Sequence, residues 1–219
     1  MKNFIVLFII SCSLLLSCQE HGEFIDSSLR IGNLYCSDGS VINPEAYAGS
    51  GKTAIAAIFW VNNSFEATTD RALAVSLDNL PPVVWAELLE DIDNVSSELN
   101  AFKGASNTAS IMIWGEDKNV NTPASTNAYN YSKYGVSSWF LPSVAEAGQI
   151  HLNKAALYKA FDYCNGEDFN KVWYWTSTQD GTGSDTPIFN ALAISLTEGR
   201  VTGSGKMNIF AIRPIIAIK

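Results

Sequence analysis

The segment Ala46-Tyr47-Ala48-Gly49-Ser50-Gly51-Lys52-Thr53 carries the glycine, lysine and threonine spacing of a phosphate-binding loop, with alanine at the first glycine position. Such a loop cradles phosphate when it follows a strand and opens a helix, whose N-terminal N–H groups point at the anion. Here Asn43-Pro44-Glu45 precedes it and the β-prone run AIAAIFWV follows, so it reads as a turn entering a strand, and no nucleotide is expected. A Ser-His-Asp unit needs a positioned histidine. The chain has only two. His21 lies near the N-terminus, His151 reads as a partly exposed helix residue between Ile150 and Leu152, and no G-x-S-x-G elbow is present. Glu87, Glu90, Asp91 and Asp93 crowd one stretch, and an acid or base drawn from them would have to be buried with a raised pKa. They read as a solvated face.

Metal chemistry has equally little to draw on. There is no H-E-x-x-H and no Cys/His cluster of zinc spacing. The loop Gln179-Asp180-Gly181-Thr182-Gly183-Ser184-Asp185 offers hard oxygens that calcium accepts, without the closing glutamate of an EF-hand. It reads as an acidic turn with calcium as the alternative, and no cofactor is expected. Aromatic residues are the surplus: Tyr129, Tyr131 and Tyr134 lie within six positions, and Trp173-Tyr174-Trp175 is contiguous. On a strand, Trp173 and Trp175 share one face and Tyr174 takes the other. An exposed set would stack on sugars or anchor a protein partner. The candidate ligand face therefore takes Trp173 or Trp175 for stacking and Asp180, Asp185, Asn190, Arg200 and Asn208 for hydrogen bonds.

The elements that must position these residues follow from composition and periodicity. The 219 residues are 47% hydrophobic and 16% charged, which excludes a disordered chain or a coiled coil, and a net charge of −8 argues against nucleic-acid partners. The run at 54–61 reads as a buried strand, with 71–78 pairing beside it. Pro81-Pro82 opens a helical stripe in which Val84, Leu88, Ile92, Val95, Leu99 and Phe102 recur at three- and four-residue steps. The spacing predicts a helix near 83–103, a strand at 111–114 and a short helix from Pro123. Ser143 with Glu146 predicts a capping box opening a second long helix through residue 163, stopped by Asn165-Gly166. Aromatic and β-branched strands follow at 173–178, 190–196 and 210–218.

At the N-terminus, Lys2 precedes a 13-residue apolar run from residue 4 to residue 16 that ends in Leu15-Leu16-Ser17-Cys18. The run falls short of the roughly 20 residues that span a bilayer and reads as a signal-peptide core. Its ending resembles the lipobox of bacterial lipoproteins, which implies cleavage before Cys18 and a lipid on that thiol. Glu20 and Glu23 resemble the acidic surface-export signals of Bacteroidota lipoproteins. The domain plan is signal peptide 1–17, tether 18–29 and one domain over 30–219, placed at the outer membrane or cell surface, with a periplasm-facing anchor as the alternative. Cys12 leaves with the signal, so Cys36 and Cys164 remain. They form either a disulfide, which in the chain-entropy model would contribute roughly 4 kcal/mol, or two unpaired small hydrophobes.

Four segments in order resemble the C-terminal domain of the Legionella collagen-like protein and its Bacteroidota relatives. They are Asp38-Gly39-Ser40 with Gly51-Lys52-Thr53, then Trp139-Phe140-Leu141-Pro142-Ser143 with Glu146, then Tyr174-Trp175-Thr176-Ser177-Thr178, and Ile212-Arg213-Pro214-Ile215. The resemblance covers about residues 30–219 and implies an α+β, C-type-lectin-like fold shared with formylglycine-generating enzymes. In that fold two helices flank a small twisted antiparallel sheet beneath a loop-rich ligand face. The 81–102 stretch is longer than is usual for that family, Gly148 replaces a helix-forming leucine, and the paired catalytic cysteines are missing. Arg213 is expected in a structural charge pair. The resulting expectation is a lipid-anchored, non-catalytic, adhesin-like envelope protein that recognises an extracellular glycan or protein. The alternative is a pilus or assembly subunit docking on another envelope protein.

Overall fold

The computed structural model describes residues 28–62 and 70–219. The expected signal peptide, the expected lipidation site Cys18 and the expected tether up to residue 27 lie outside the described residues. Strands Leu34–Cys36 (β1) and Val41–Ile42 (β2) precede a 3-10 turn at Pro44–Ala46, strand Ala54–Val61 (β3), Ala72–Ser76 (β4) and Leu80–Val83 (β5). Helices Gly104–Lys118 (α1) and Pro123–Asn130 (α2) follow, then Trp139–Phe140 (β6), Val144–Leu152 (α3) and Lys154–Cys164 (α4). Tyr174–Gln179 (β7), Thr186–Phe189 (α5), Asn190–Ile194 (β8), Val201–Gly205 (β9), Phe210–Ile212 (β10) and Ile215–Ile218 (β11) complete the α+β chain.

The strands form two sheets, ordered β2-β1-β3-β4-β11-β6 and β5-β10-β7-β8-β9. The first is antiparallel throughout, and β3 pairs with β4 as its unbroken apolar run demands. Six of the eight β3 residues are buried, with Ala57 and Phe59 in one cluster and Ile55 and Ile58 in another. Both faces of this strand are therefore covered, which explains the lack of alternation. In the second sheet β10 lies parallel to β7 and the other pairings are antiparallel. Arg213-Pro214 separates β10 from β11 and carries the chain from one sheet to the other. Proline lacks the N–H that a continuous ladder would need. The Pro214 carbonyl accepts from Ser76 N–H at 2.9 Å, and Arg213 Nε donates to the Ser76 carbonyl at 2.9 Å, so the crossing is fastened to the end of β4.

The capping box forms as expected. Ser143 Oγ accepts from Glu146 N–H at 3.3 Å, and the Glu146 carboxylate accepts from Ser143 N–H at 2.7 Å. The helix that it opens is broken into α3 and α4 at Asn153, whose side-chain amide donates to Gln149 O at 3.1 Å and to Phe59 O of β3 at 3.0 Å. Asn165 then ends α4 in the left-handed conformation with φ 56°.

Two further expectations fail. The 83–103 helix does not form: Leu80–Val83 is an edge strand on β10, and 84–103 is irregular. Edge position is where prolines such as Pro81 and Pro82 are tolerated. Beyond them the chain bonds outward rather than to itself. Trp85 Nε1 donates to Thr176 O at 2.8 Å, Ile92 N–H to Gln179 Oε1 at 3.0 Å and Ser96 N–H to Asn107 Oδ1 at 3.0 Å. Asp91, Asp93, Asn94, Ser96 and Ser97 compete with helical backbone bonding, so these tertiary bonds prevail. Of the stripe, Ile92 and Val95 are buried while Leu99 and Phe102 are exposed. The 111–114 strand is instead the middle of α1. Its inward face is Gly104, Asn107, Thr108, Ile111 and Gly115, a helical spacing written in small and polar residues that a hydrophobic period cannot reveal.

Candidate functional site

The residues expected on one ligand face lie at the two ends of β7. At its start, the Arg200 guanidinium sits 5.6 Å from the ring centre of half-buried Trp173, with Arg200 Nε bonded to Glu198 Oε2 at 2.6 Å. Trp175 is 1% exposed, donates from Nε1 to Val83 O at 2.9 Å and packs on Phe210 at 4.6 Å. Tyr174 is equally buried, donating from its hydroxyl to Asn79 Oδ1 at 2.7 Å. Both faces of β7 are core, so no exposed aromatic set exists there and Trp175 cannot stack on a ligand.

At the far end of the strand Asp180 is buried and accepts from Thr182 N–H at 3.1 Å. Its other carboxylate oxygen lies 2.0 Å from where a Cβ on Gly203 would sit, so that contact requires glycine. Asn190 opens β8 opposite Gly205, and Asn208 Nδ2 bonds Ser204 Oγ at 2.8 Å. Asp185 is exposed at the start of α5 and makes no cap bond. Six strand residues put these two clusters roughly 20 Å apart, too far to be one small-ligand site. Among the described residues, no group of three His, Cys, Asp or Glu side chains is arranged to hold a metal ion. The loop at 46–53 is a turn into β3, with Gly49 and Gly51 at positive φ and no helix after it.

A concave site does exist elsewhere, in a cleft of about 940 Å³ between the C-terminal half of α1, the linker at 119–122, α2 and Glu87. Gly115 lets the linker come close, since a Cβ there would meet Val120 O and Thr122 Cγ2 at 2.8 Å. Val120 N–H donates to Gly115 O at 2.8 Å, and Asn119 turns the chain with φ 53°. Pro123 opens α2, where its missing N–H is not needed. The irregular segment is stitched on by Glu87 N–H to Asn121 O at 3.1 Å and by Asn121 Nδ2 to Glu87 Oε2 at 2.7 Å. Asn119, Asn127, Asn130 and Tyr129 are exposed along this cleft, and Met112 and Val120 supply apolar surface. The density of asparagine over 119–130 was the sequence signal for it, but only a helix–linker–helix arrangement gathers those amides.

A second cleft of about 780 Å³ is lined by Trp60, Leu73, Phe102, Lys103, Phe140 and Glu146, with Trp60 and Phe102 in contact at 5.1 Å. Burial pushes the Glu146 carboxyl up to about 7, although Ser143 and Gly104 N–H groups donate to it. This group does double duty as the cap of α3 and the brace of the α1 N-terminus. Two buried cations complete the unusual groups. Lys206 donates to Glu90 O at 2.6 Å and Gln179 Oε1 at 2.8 Å, 4.8 Å from the Trp85 ring centre, and burial lowers its pKa to about 8. Arg213 donates to the Ser76 and Glu167 carbonyls and lies 5.1 Å and 5.0 Å from the rings of Phe161 and Phe169. Its direct hydrogen bonds thus go to carbonyls rather than to the carboxylate partner expected from sequence. Cys36 is buried, Cys164 is half-buried, and both are free thiols.

No protein-family profile and no curated protein matches the sequence. Among solved structures, the chain is similar to a fimbrial protein from Bacteroides ovatus ATCC 8483, with a TM-score of 0.60 and 17% sequence identity over 85% of this chain. The match covers 48% of that protein, so this chain spans about half of its length. At this identity the likeness is one of fold. Among the described residues, no helix is long and apolar enough to cross a membrane.

Proposed function

We propose that this chain is a lipid-anchored cell-surface protein of fimbrial type whose folded part is a non-catalytic, adhesin-like recognition domain. The observation that carries the reading is the fold held in common with a fimbrial protein. The lipobox-like Leu15-Leu16-Ser17-Cys18 supplies the anchor, on the outer membrane and facing outward. The C-type-lectin-like relationship belongs to the same proposal. It is supported by the capping box inside the W-x-L-P-S-x-x-E segment, the aromatic strand β7 and the Arg213-Pro214 crossing, which keep the order of the resembling family.

A structural or assembly subunit is the second reading, favoured by the fimbrial name of the structural neighbour. Shearing cells and blotting the released fibres tests the two against each other. The adhesin reading predicts that cells lacking the protein keep their fibres and lose attachment to a ligand-coated surface. Loss of fibre length or number in the same cells favours the assembly subunit.

A further inference from the structure

We infer that the cleft between α1, the 119–122 linker and α2 is a binding site for a neutral, polyhydroxylated ligand, of the oligosaccharide class. This inference deepens the recognition reading above and rests on it. Its first support is the set of side-chain amides that the fold leaves over. Asn121 is committed to Glu87, but Asn119, Asn127 and Asn130 face solvent along the same concavity. A carboxamide presents two donors and an acceptor in one plane, which matches the alternating donors and acceptors of vicinal hydroxyls. Asn127 and Asn130 are three apart on α2, so they project from one side of the helix.

The second support is the mixed character of the cleft. Tyr129 is 53% exposed, and Met112, Val120 and Pro123 line the same cleft, so the cleft carries apolar surface as well as the amides. A sugar ring has the same two-sided character, with C–H faces and a hydroxyl rim. Third, the charges select. The lining holds Glu87 and Glu116 and no lysine or arginine. Carboxylates accept from hydroxyl groups but repel phosphate, sulfate and uronate, and no lining cation offsets that repulsion. Glu87 is held in place by its two bonds with Asn121, so its acceptor is fixed in advance of binding.

The test uses the full-length lipidated protein in detergent on a printed array of neutral, uronic-acid and sialylated oligosaccharides, with titration of any glycan bound. The expected result is binding confined to neutral glycans and weakened at least tenfold by the double variant N127A/N130A and by Y129A. These positions are exposed, so melting temperatures should stay near wild type. Asn119→Gly, which keeps the left-handed backbone and removes only the amide, provides an independent second variant with the same expected direction. Binding that prefers acidic glycans, that survives all three variants, or that is absent from every neutral glycan overturns the inference. Surface labelling of intact cells that carry the protein reads the proposed surface display separately, since a surface-displayed but glycan-silent protein overturns the cleft assignment alone.

Discussion

Lys206 and Glu146 are the two side chains whose burial has a measurable pH signature. Lys206 titrates near 8 in the folded protein against an ordinary value of 10.5, because burial disfavours its charged form. Between those values the unfolded chain holds a proton that the folded chain releases, so this group makes stability rise with pH from about 8 to 10.5. The Lys206→Met variant should lack that rise, as seen in wild-type minus variant unfolding free energies across the window. Glu146 runs the other way. Its folded value of about 7 exceeds the ordinary 4.5, so its contribution is fully present below 4.5 and is lost as pH climbs through 7. Glu146→Gln, which preserves an acceptor for the cap, should flatten the wild-type decline between pH 4.5 and 7 in thermal melts. Glu146 was legible from sequence as a helix cap but not as a buried acid, and Lys206 was not legible at all. Lys206 follows a glycine-rich strand in a stretch that reads as loop, and nothing local reveals that Trp85 and Gln179 will close over it. Arg213 was legible as structural, though its partners proved to be carbonyls and aromatic faces. Arg213→Ala leaves the Ser76 and Glu167 carbonyls without their guanidinium donor and should destabilise by roughly 2–4 kcal/mol in denaturant titrations.

Elements were readable where local chemistry and tertiary packing agree. Ser143 and Glu146 declared the start of α3, Pro123 the start of α2, and the apolar density of 54–61 gave β3 outright. Removing the cap hydroxyl with Ser143→Ala should cost about 1 kcal/mol. Where the two conflict, the periodic pattern misled. The stripe from Val84 to Phe102 has helical spacing, yet its Asp, Asn and Ser residues and the bonds offered by Gln179, Thr176 and Asn107 hold it irregular. Helix α1 is the converse case, a helix whose packed face is glycine, asparagine and threonine around a single isoleucine, Ile111. Its close approach to the linker gives a direct check. Gly115→Ala would place a Cβ 2.8 Å from Val120 O and Thr122 Cγ2, so it should destabilise by roughly 1–3 kcal/mol and splay the cleft, as read by melting and by exchange of the 119–122 amides.

At the scale of the whole molecule, the α+β class was visible in the sequence and the pairing of sheets was not. One sheet was expected and two are present among the described residues, because Arg213-Pro214 divides what reads as a single C-terminal strand into β10 and β11, each serving a different sheet. The same division explains the fate of the expected ligand face. Once β7 lies inside the second sheet with both faces packed, Trp175 is core, and Trp173 and Asp180 mark opposite ends of the strand. The concave surface moves instead to the α1–α2 side, where the asparagines gather.

In the proposed reading, surface display through an acylated Cys18 would give such a surface access to extracellular ligands. The most direct measurement is metabolic labelling with a palmitate analogue combined with protease treatment of intact cells, for the wild-type chain and Cys18→Ala. The account predicts a labelled, protease-accessible wild-type protein and an unlabelled variant that loses its membrane association. A Cys18→Ala protein that labels and partitions as wild type does, or a wild-type protein shielded from protease in intact cells, would contradict it.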